Sequence, residues 1–262
     1  MTVLAGERGR WIRSFATGGS GAMRLVCFPH AGGSASYFFP YARAFGPDVD
    51  VLPLQYPGRQ DRRREGFIDN IAELADRISV ALLSDVPAPF AFFGHSMGAV
   101  LAFEVARRLR DRSAVEPVAL FLSGRRAPDR RRTDDDVHRR PDEGLLAELR
   151  RVAGTDPRVL ADPELRAALL PVTRNDYRAI ETYRYEPGPP LDVPITVLIG
   201  DADPTSTVAE AAGWQAYTTA AFDLRVFPGG HFYLDSARAA VAGTITESLR
   251  TGLSRHRSGR EQ

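Results

Sequence analysis

The sequence predicts an α/β fold: a mostly parallel sheet with helices on both faces. Three observations carry this. Six apolar runs of strand length recur along the 262 residues. Segments with helical spacing separate them. The runs are continuously apolar rather than alternating, the pattern of strands covered on both faces.

Taken in order, residues 1–22 form a leader whose "ATGGSGA" reads as flexible, and the fold itself is expected over 23–254. The first strands are "MRLVCFP" and "VDVLPLQYP". A helix follows with Ile71, Leu74, Ala75, Ile78 and Leu82 on one face. The strand "PFAFFGH" leads into a helix carrying Ala99, Ala102, Phe103, Ala106 and Leu109, and "PVALFLSG" comes next. Then the rhythm breaks, because 125–185 holds no convincing core strand. It opens with "RRAPDRRRTDDDVHRRP", a charge run that reads as a solvated loop, and continues in helical patterns around 145–152 and 165–177. A helical excursion between two strands predicts a lid inserted over one end of the sheet. The strands "PITVLIGD" and "FDLRVFPGG" complete the set, and 255–262 reads as a disordered tail.

Composition removes several functions. The formal net charge of +1 gives no global case for nucleic acid or for an anionic membrane. Every basic residue is arginine. Without lysine there is no Walker-type phosphate loop and no lysine Schiff base, so pyridoxal phosphate chemistry has no anchor. Cys27, the single cysteine, lies inside an apolar run and reads as a buried strand residue rather than a nucleophile. No H-E-x-x-H motif or cysteine cluster suggests a metal, and neither metal nor cofactor is expected. There is no signal peptide pattern and no run of ~18 apolar residues, so a soluble cytoplasmic protein is the expectation.

The stretch "FFGHSMGAV" is poor design for either a strand or a helix, since glycines flank Ser96 at two residues on each side. It fits the G-x-S-x-G nucleophile elbow, and a strand before it with a helix after it supply the context that motif needs. The sharp turn forces the serine into strained backbone angles and lifts its hydroxyl clear, near a helix N-terminus that favours developing negative charge. In α/β-hydrolases the chain order is serine, acid, histidine. Of the five histidines, His30 lies too early, His95 adjoins the serine and points elsewhere, His138 sits in the charge run and His256 in the tail. His231, in "VFPGGHFYL" after the last strand, remains as the base for Ser96. Spacing leaves the acid open among Asp201 and Asp203 in "DADP" and Asp129 after an earlier strand. The backbone N–H of Met97 and that of Ala31, in "PHAGG", are the candidate oxyanion donors. A dinucleotide loop at "HAGGS" fails because G-x-G-x-x-G is absent.

Together, "FPHAGGSASYFFPYA", "LQYPGRQDR", "FFGHSMGA", "LIGDADP" and "GGHFYL" resemble the stand-alone type II thioesterases that serve polyketide and nonribosomal peptide synthases, over about Met23 to Leu249. The lid sequence from "LLAELRRVAG" to "IETYRY" fits that family as well. The resemblance implies an α/β-hydrolase fold with Ser96 as nucleophile, Asp203 as acid, His231 as base, and oxyanion N–H groups at Ala31 and Met97. It implies removal of stalled or wrong acyl groups from the phosphopantetheine arm of acyl or peptidyl carrier proteins. The arginine clusters Arg59, Arg62 to Arg64, Arg125, Arg126 and Arg130 to Arg132 are candidates for docking such a carrier. Three rivals stand beside this reading. A general esterase or lipase would use the same triad, and a binding module would lack a triad member. A chain-releasing thioesterase is normally fused to a synthase, whereas this chain begins at its own methionine.

Overall fold

The computed structural model describes residues 9–15, 18–19, 21–113, 115–130 and 136–258. The elements in chain order are β1 (Met23–Phe28), α1 (Phe39–Phe45), β2 (Val49–Pro53), α2 (Ile71–Asp85), β3 (Phe90–His95), α3 (Met97–Ser113), β4 (Leu120–Ser123), α4 (Asp142–Val152), α5 (Pro157–Ala161), α6 (Pro163–Thr182), β5 (Ile195–Gly200), α7 (Val208–Ala212), β6 (Phe222–Phe227), α8 (Tyr233–Ser236) and α9 (Arg238–Ser258). The six strands form one sheet in the order β2-β1-β3-β4-β5-β6, and every neighbouring pair is parallel. All six apolar runs of the sequence are strands of this sheet.

Alternation along the strands builds two cores. On β1, Val26 and Phe28 face a cluster shared with α2 and α3, through residues such as Ile71, Leu74, Val105 and Leu109. Leu25 and Cys27 face the opposite cluster, shared with α1 and α9 through Tyr41, Phe45, Val241 and Ile245. Helices on both faces are what continuously apolar strands require. Cys27 is buried, and burial pushes its thiol well above the ordinary value, which leaves it protonated and unreactive.

Among the described residues no strand lies between β4 and β5. That stretch holds α4, α5 and α6, with a small apolar cluster of its own, Leu146, Leu149 and Leu160, that packs Leu169 and Leu170. Asp162 starts α6 by accepting the N–H groups of Glu164 and Leu165, with Pro163 in the first turn. At the other end the hydroxyl of Tyr183 donates to Glu104 of α3 at 2.7 Å. The short helix α5 was not evident from spacing, because five residues show no helical period.

The flexible leader expected over 1–22 does not hold for residues 9–15. Trp11 is fully buried, Ile12 makes an antiparallel bridge to Leu54, and Arg62 lies over the Trp11 ring at 4.4 Å. The reason is pairing with residues 53–55 at the end of edge strand β2, where the Arg13 N–H donates to the Pro53 carbonyl and the Gln55 N–H donates to the Trp11 carbonyl. Residues 1–8, 16–17 and 20 lie outside the described residues. Helix α9 carries the backbone through 255–258, part of the expected tail, and 259–262 also lie outside the described residues. Among the described residues no helix is long and apolar enough to cross a membrane.

Candidate active site

Ser96 sits between β3 and α3 with φ +57, a left-handed conformation that a non-glycine residue adopts only under constraint. The constraint is visible on both sides. The Ser96 N–H donates to the Ser123 carbonyl on β4 at 2.8 Å, and its own carbonyl accepts the Ala99 N–H at 3.0 Å. The flanking glycines allow close backbone approach. A Cβ on Gly94 would lie 2.2 Å from the Gly98 carbonyl oxygen, and one on Gly98 would lie 2.0 Å from that of Phe28. The second contact presses the start of α3 against the end of β1, which brings the 29–33 loop beside the serine.

The sheet's carboxyl end assembles the rest. His231 follows β6, and its Nε2 lies 3.0 Å from Ser96 Oγ. Its Nδ1 lies 2.8 Å from Asp203 Oδ2. Asp203 follows β5 and has a fully buried side chain. Of the three carboxylates left open by spacing, only Asp203 meets the imidazole. Asp201 turns away to accept the Gly229 N–H at 2.9 Å, and exposed Asp129 pairs with Arg130 at 3.8 Å.

Thr205 is a site residue that the sequence reading missed. Its N–H and its hydroxyl each donate to Asp203 Oδ1 at 2.8 Å, and the hydroxyl oxygen also lies 2.9 Å from His231 Nδ1. A threonine two residues after an aspartate is an ordinary turn feature, so nothing in "DADPT" marked it. The Asp203 carboxyl is held below its ordinary value. Burial works against this, but the hydrogen bond and charge of His231 and the two Thr205 bonds outweigh it. An ionised carboxylate assigns the Nδ1 proton to His231 and leaves Nε2 to accept from Ser96.

Two further histidines pack around this one. The His95 ring lies 4.9 Å from that of His231, and Phe232 meets His30, His95 and His231 edge-on. His95 is fixed by Ser123 Oγ at 3.0 Å, which in turn meets the Tyr233 hydroxyl at 2.7 Å. Burial, followed by the His231 charge, lowers His30 to about 3 and puts His95 well below its ordinary value. Both are therefore neutral at pH 7 and do not repel a cation on His231.

Met97 is the first residue of α3 and follows Ser96 directly, so its N–H has no acceptor within the helix. Ala31 lies in the turn that closes from the Gly33 N–H to the His30 carbonyl at 2.9 Å. A cleft of about 860 Å³ opens over Ser96 and His231, lined from β1's loop by Ala31 and from the helical excursion by Leu149, Leu169 and Tyr177. The docking candidates divide. Arg59, Arg62 and Arg126 are buried and internally bonded, which removes them from any carrier-facing surface. Arg125 is half-buried and lines the cleft, Arg63, Arg64 and Arg130 are exposed, and Arg131 and Arg132 lie outside the described residues.

A parallel sheet with an elbow serine, a histidine after the last strand and helices over the cleft defines an α/β-hydrolase of the serine hydrolase class. Residues 23–249 match the family described as "Thioesterase domain", and the chain belongs to that family. Thioesterase PikA5 of Streptomyces venezuelae is 46% identical over 93% of this chain and 86% of that protein. A probable cadicidin biosynthesis thioesterase of Streptomyces griseus is 48% identical over 95% of this chain and 68% of that protein. Among solved structures, the type II thioesterase BorB from the borrelidin biosynthetic cluster superposes with a TM-score of 0.86 at 49% identity, covering 92% of this chain and 98% of that one. The protein is a hydrolase of thioesters, related to the type II thioesterases of polyketide and nonribosomal peptide pathways.

Proposed function

We propose that this enzyme hydrolyses stalled or wrong acyl groups from the phosphopantetheine thioesters of acyl or peptidyl carrier proteins, with Ser96, His231 and Asp203 as its catalytic triad. The observation that carries the reading is His231 lying within hydrogen-bond reach of both Ser96 Oγ, at 3.0 Å, and Asp203 Oδ2, at 2.8 Å, in a member of the thioesterase family. His231 Nε2 takes the Ser96 proton as Oγ attacks the thioester carbonyl carbon. The oxyanion accepts the N–H groups of Ala31 and Met97. The C–S bond breaks, and the leaving thiolate takes the proton back from His231. Thiolate leaves readily because a thiol is far more acidic than an alcohol. Water, deprotonated by His231, then attacks the acyl-enzyme and releases the free acid and Ser96.

Residues 23–254 act in this reading as one catalytic unit, with 125–185 as a lid over the acyl chamber. The leucines and Tyr177 that this segment contributes to the cleft support that role. Editing rather than chain release is supported by the similarity to BorB, whose description is that of a type II thioesterase and whose length this chain spans almost entirely. The test is a panel of acyl-carrier thioesters set against matched oxygen esters. Higher kcat/KM on the carrier thioesters is expected. Equal or higher values on small oxygen esters would shift the assignment to a general esterase.

A further inference from the structure

The turn that carries Ala31 is pinned at four backbone atoms, three of them through buried contacts and one through a half-buried contact. Three pins come from the stretch 55–59. The Tyr56 hydroxyl donates to the Pro29 carbonyl at 3.3 Å, Gln55 Oε1 accepts the Ala35 N–H at 2.8 Å, and the Arg59 guanidinium donates to the Gly33 carbonyl at 2.9 Å. The fourth comes from the helical excursion. Asp176, on α6, accepts the Gly32 N–H through Oδ2 at 2.8 Å.

Asp176 is tied into the same set. Its side chain is 1% exposed and makes a two-bond pair with Arg59, at 2.7 and 2.9 Å. Asn175 Nδ2 donates to its Oδ1 at 3.3 Å. The approach is close: Gly32 has φ +75, and a Cβ there would lie 2.6 Å from the Thr173 hydroxyl one turn earlier on α6. One carboxylate thus joins the lid helix, a buried arginine and the peptide next to Ala31.

We propose that Asp176 is a positioning residue that couples the seating of α6 to the oxyanion site, and that Arg59 is its partner in this. Holding Gly32 N–H and Gly33 carbonyl fixes the turn on one side of Ala31, and Tyr56 fixes it on the other. The Ala31 N–H is then aimed at the oxyanion only while α6 is seated. An acyl group that fits beneath α6 keeps that donor, and one that pushes α6 away loses it. The lid in this way becomes a selector acting on rate. The proposal rests on the reading of Ala31 as an oxyanion donor.

The test compares wild type with Asp176→Asn and with the double variant Arg59→Met/Asp176→Leu. Replacing both members of a buried pair by apolar side chains is often tolerated by a fold where removal of one is not. Two probes are used: a trifluoromethyl ketone analogue of the acyl thioester, which adds Ser96 and forms an oxyanion, and the matched unreactive thioether. Loss of one oxyanion donor lowers kcat by on the order of 10²-fold. The expected result is a kcat loss of that order, KM within about twofold, a parallel loss of ketone affinity and unchanged thioether affinity. Unchanged kcat and ketone affinity in a folded variant, or equal weakening of both probes, would overturn the proposal. If neither variant folds, amide exchange in the wild type decides: Gly32 is expected to exchange with the amides of α6, and fast exchange at Gly32 beneath a protected α6 overturns the coupling. A ketone that fails to attach to Ser96 of the wild type removes the catalytic reading itself, and this proposal with it.

Discussion

Asp203 reaches His231 Nδ1 at 2.8 Å, while Asp201, two residues earlier in the same turn, bonds the backbone of Gly229 instead. The two carboxylates therefore have different work, and substitution should separate them. Asp203→Asn leaves an imidazolium unsupported and invites the wrong tautomer, which lowers kcat by up to ~10⁴ in a comparable triad. Asp201→Asn and Asp129→Asn should stay within a few-fold of wild type. Steady-state kinetics on one acyl thioester checks all three. A crippled Asp201→Asn beside an active Asp203→Asn would reverse the assignment.

Thr205→Val should lower turnover by about tenfold, the worth of one hydrogen bond to a charged group at roughly 1.5 kcal/mol. It should also change acid stability. A carboxyl held below its ordinary value stabilises the fold above that value, and the contribution is lost as pH falls through the folded value. Without the Thr205 hydroxyl bond the folded value rises towards the unfolded one, so the fall in stability on acidification is smaller and is complete at a higher pH. Urea midpoints measured between pH 5 and pH 3 would show the shift, and coincident curves for variant and wild type would contradict it.

His30 and His95 make the fold acid-sensitive in a second window. Both are buried neutral, with His30 lowered to about 3, so the unfolded chain binds more protons once pH drops below ~6.5. Stability is therefore full above that pH and declines as pH falls towards the folded values. In the double variant His30→Gln/His95→Gln the loss between pH 7 and pH 5 should be smaller than in wild type. Unfolding free energies at those two pH values provide the check, and equal losses would refute it.

Much of this architecture was legible before any coordinates. The six apolar runs set the sheet, because strands covered on both faces need no alternation to disclose them. The break after "VALFLSG" marked the helical excursion, since helical spacing around 145–152 and 165–177 persisted where strand runs stopped. Ser96 and His231 could be chosen by motif and chain order. The acid was left open by spacing, because Asp201 and Asp203 follow the same strand, and the family resemblance alone favoured Asp203, which of the two is the one that meets the His231 ring. Trp11 falls in the glycine-rich leader by sequence because its burial depends on pairing with residues 53–55, far away along the chain. Thr205, Arg59 and Asp176 carried no local signal. Arg59 in particular was grouped with surface charge, although its partner lies 117 residues later.

The exposed arginines give the carrier reading a separate check. Arg63, Arg64 and Arg130 are solvent-facing, and complementary charge speeds encounter with an acidic partner more than it deepens affinity. Alanine at these positions should raise KM for carrier thioesters and spare small soluble thioesters. Added salt should act with the same selectivity, since exposed charges are screened within ~8 Å at physiological ionic strength. Equal salt sensitivity for both substrates, with no variant telling them apart, would remove these residues from docking.

In the proposed reaction a carrier-bound acyl group passes through an ester on Ser96. Rapid quench of the enzyme with an acyl-phosphopantetheinyl carrier, followed by mass spectrometry of the digested enzyme, tests it directly. A mass increase equal to the acyl group is expected on the peptide containing Ser96, appearing before free acid accumulates. Ser96→Ala should abolish that adduct and lower turnover by on the order of 10⁶-fold. An acyl adduct on another residue, or Ser96→Ala retaining substantial turnover of the carrier thioester, would contradict it.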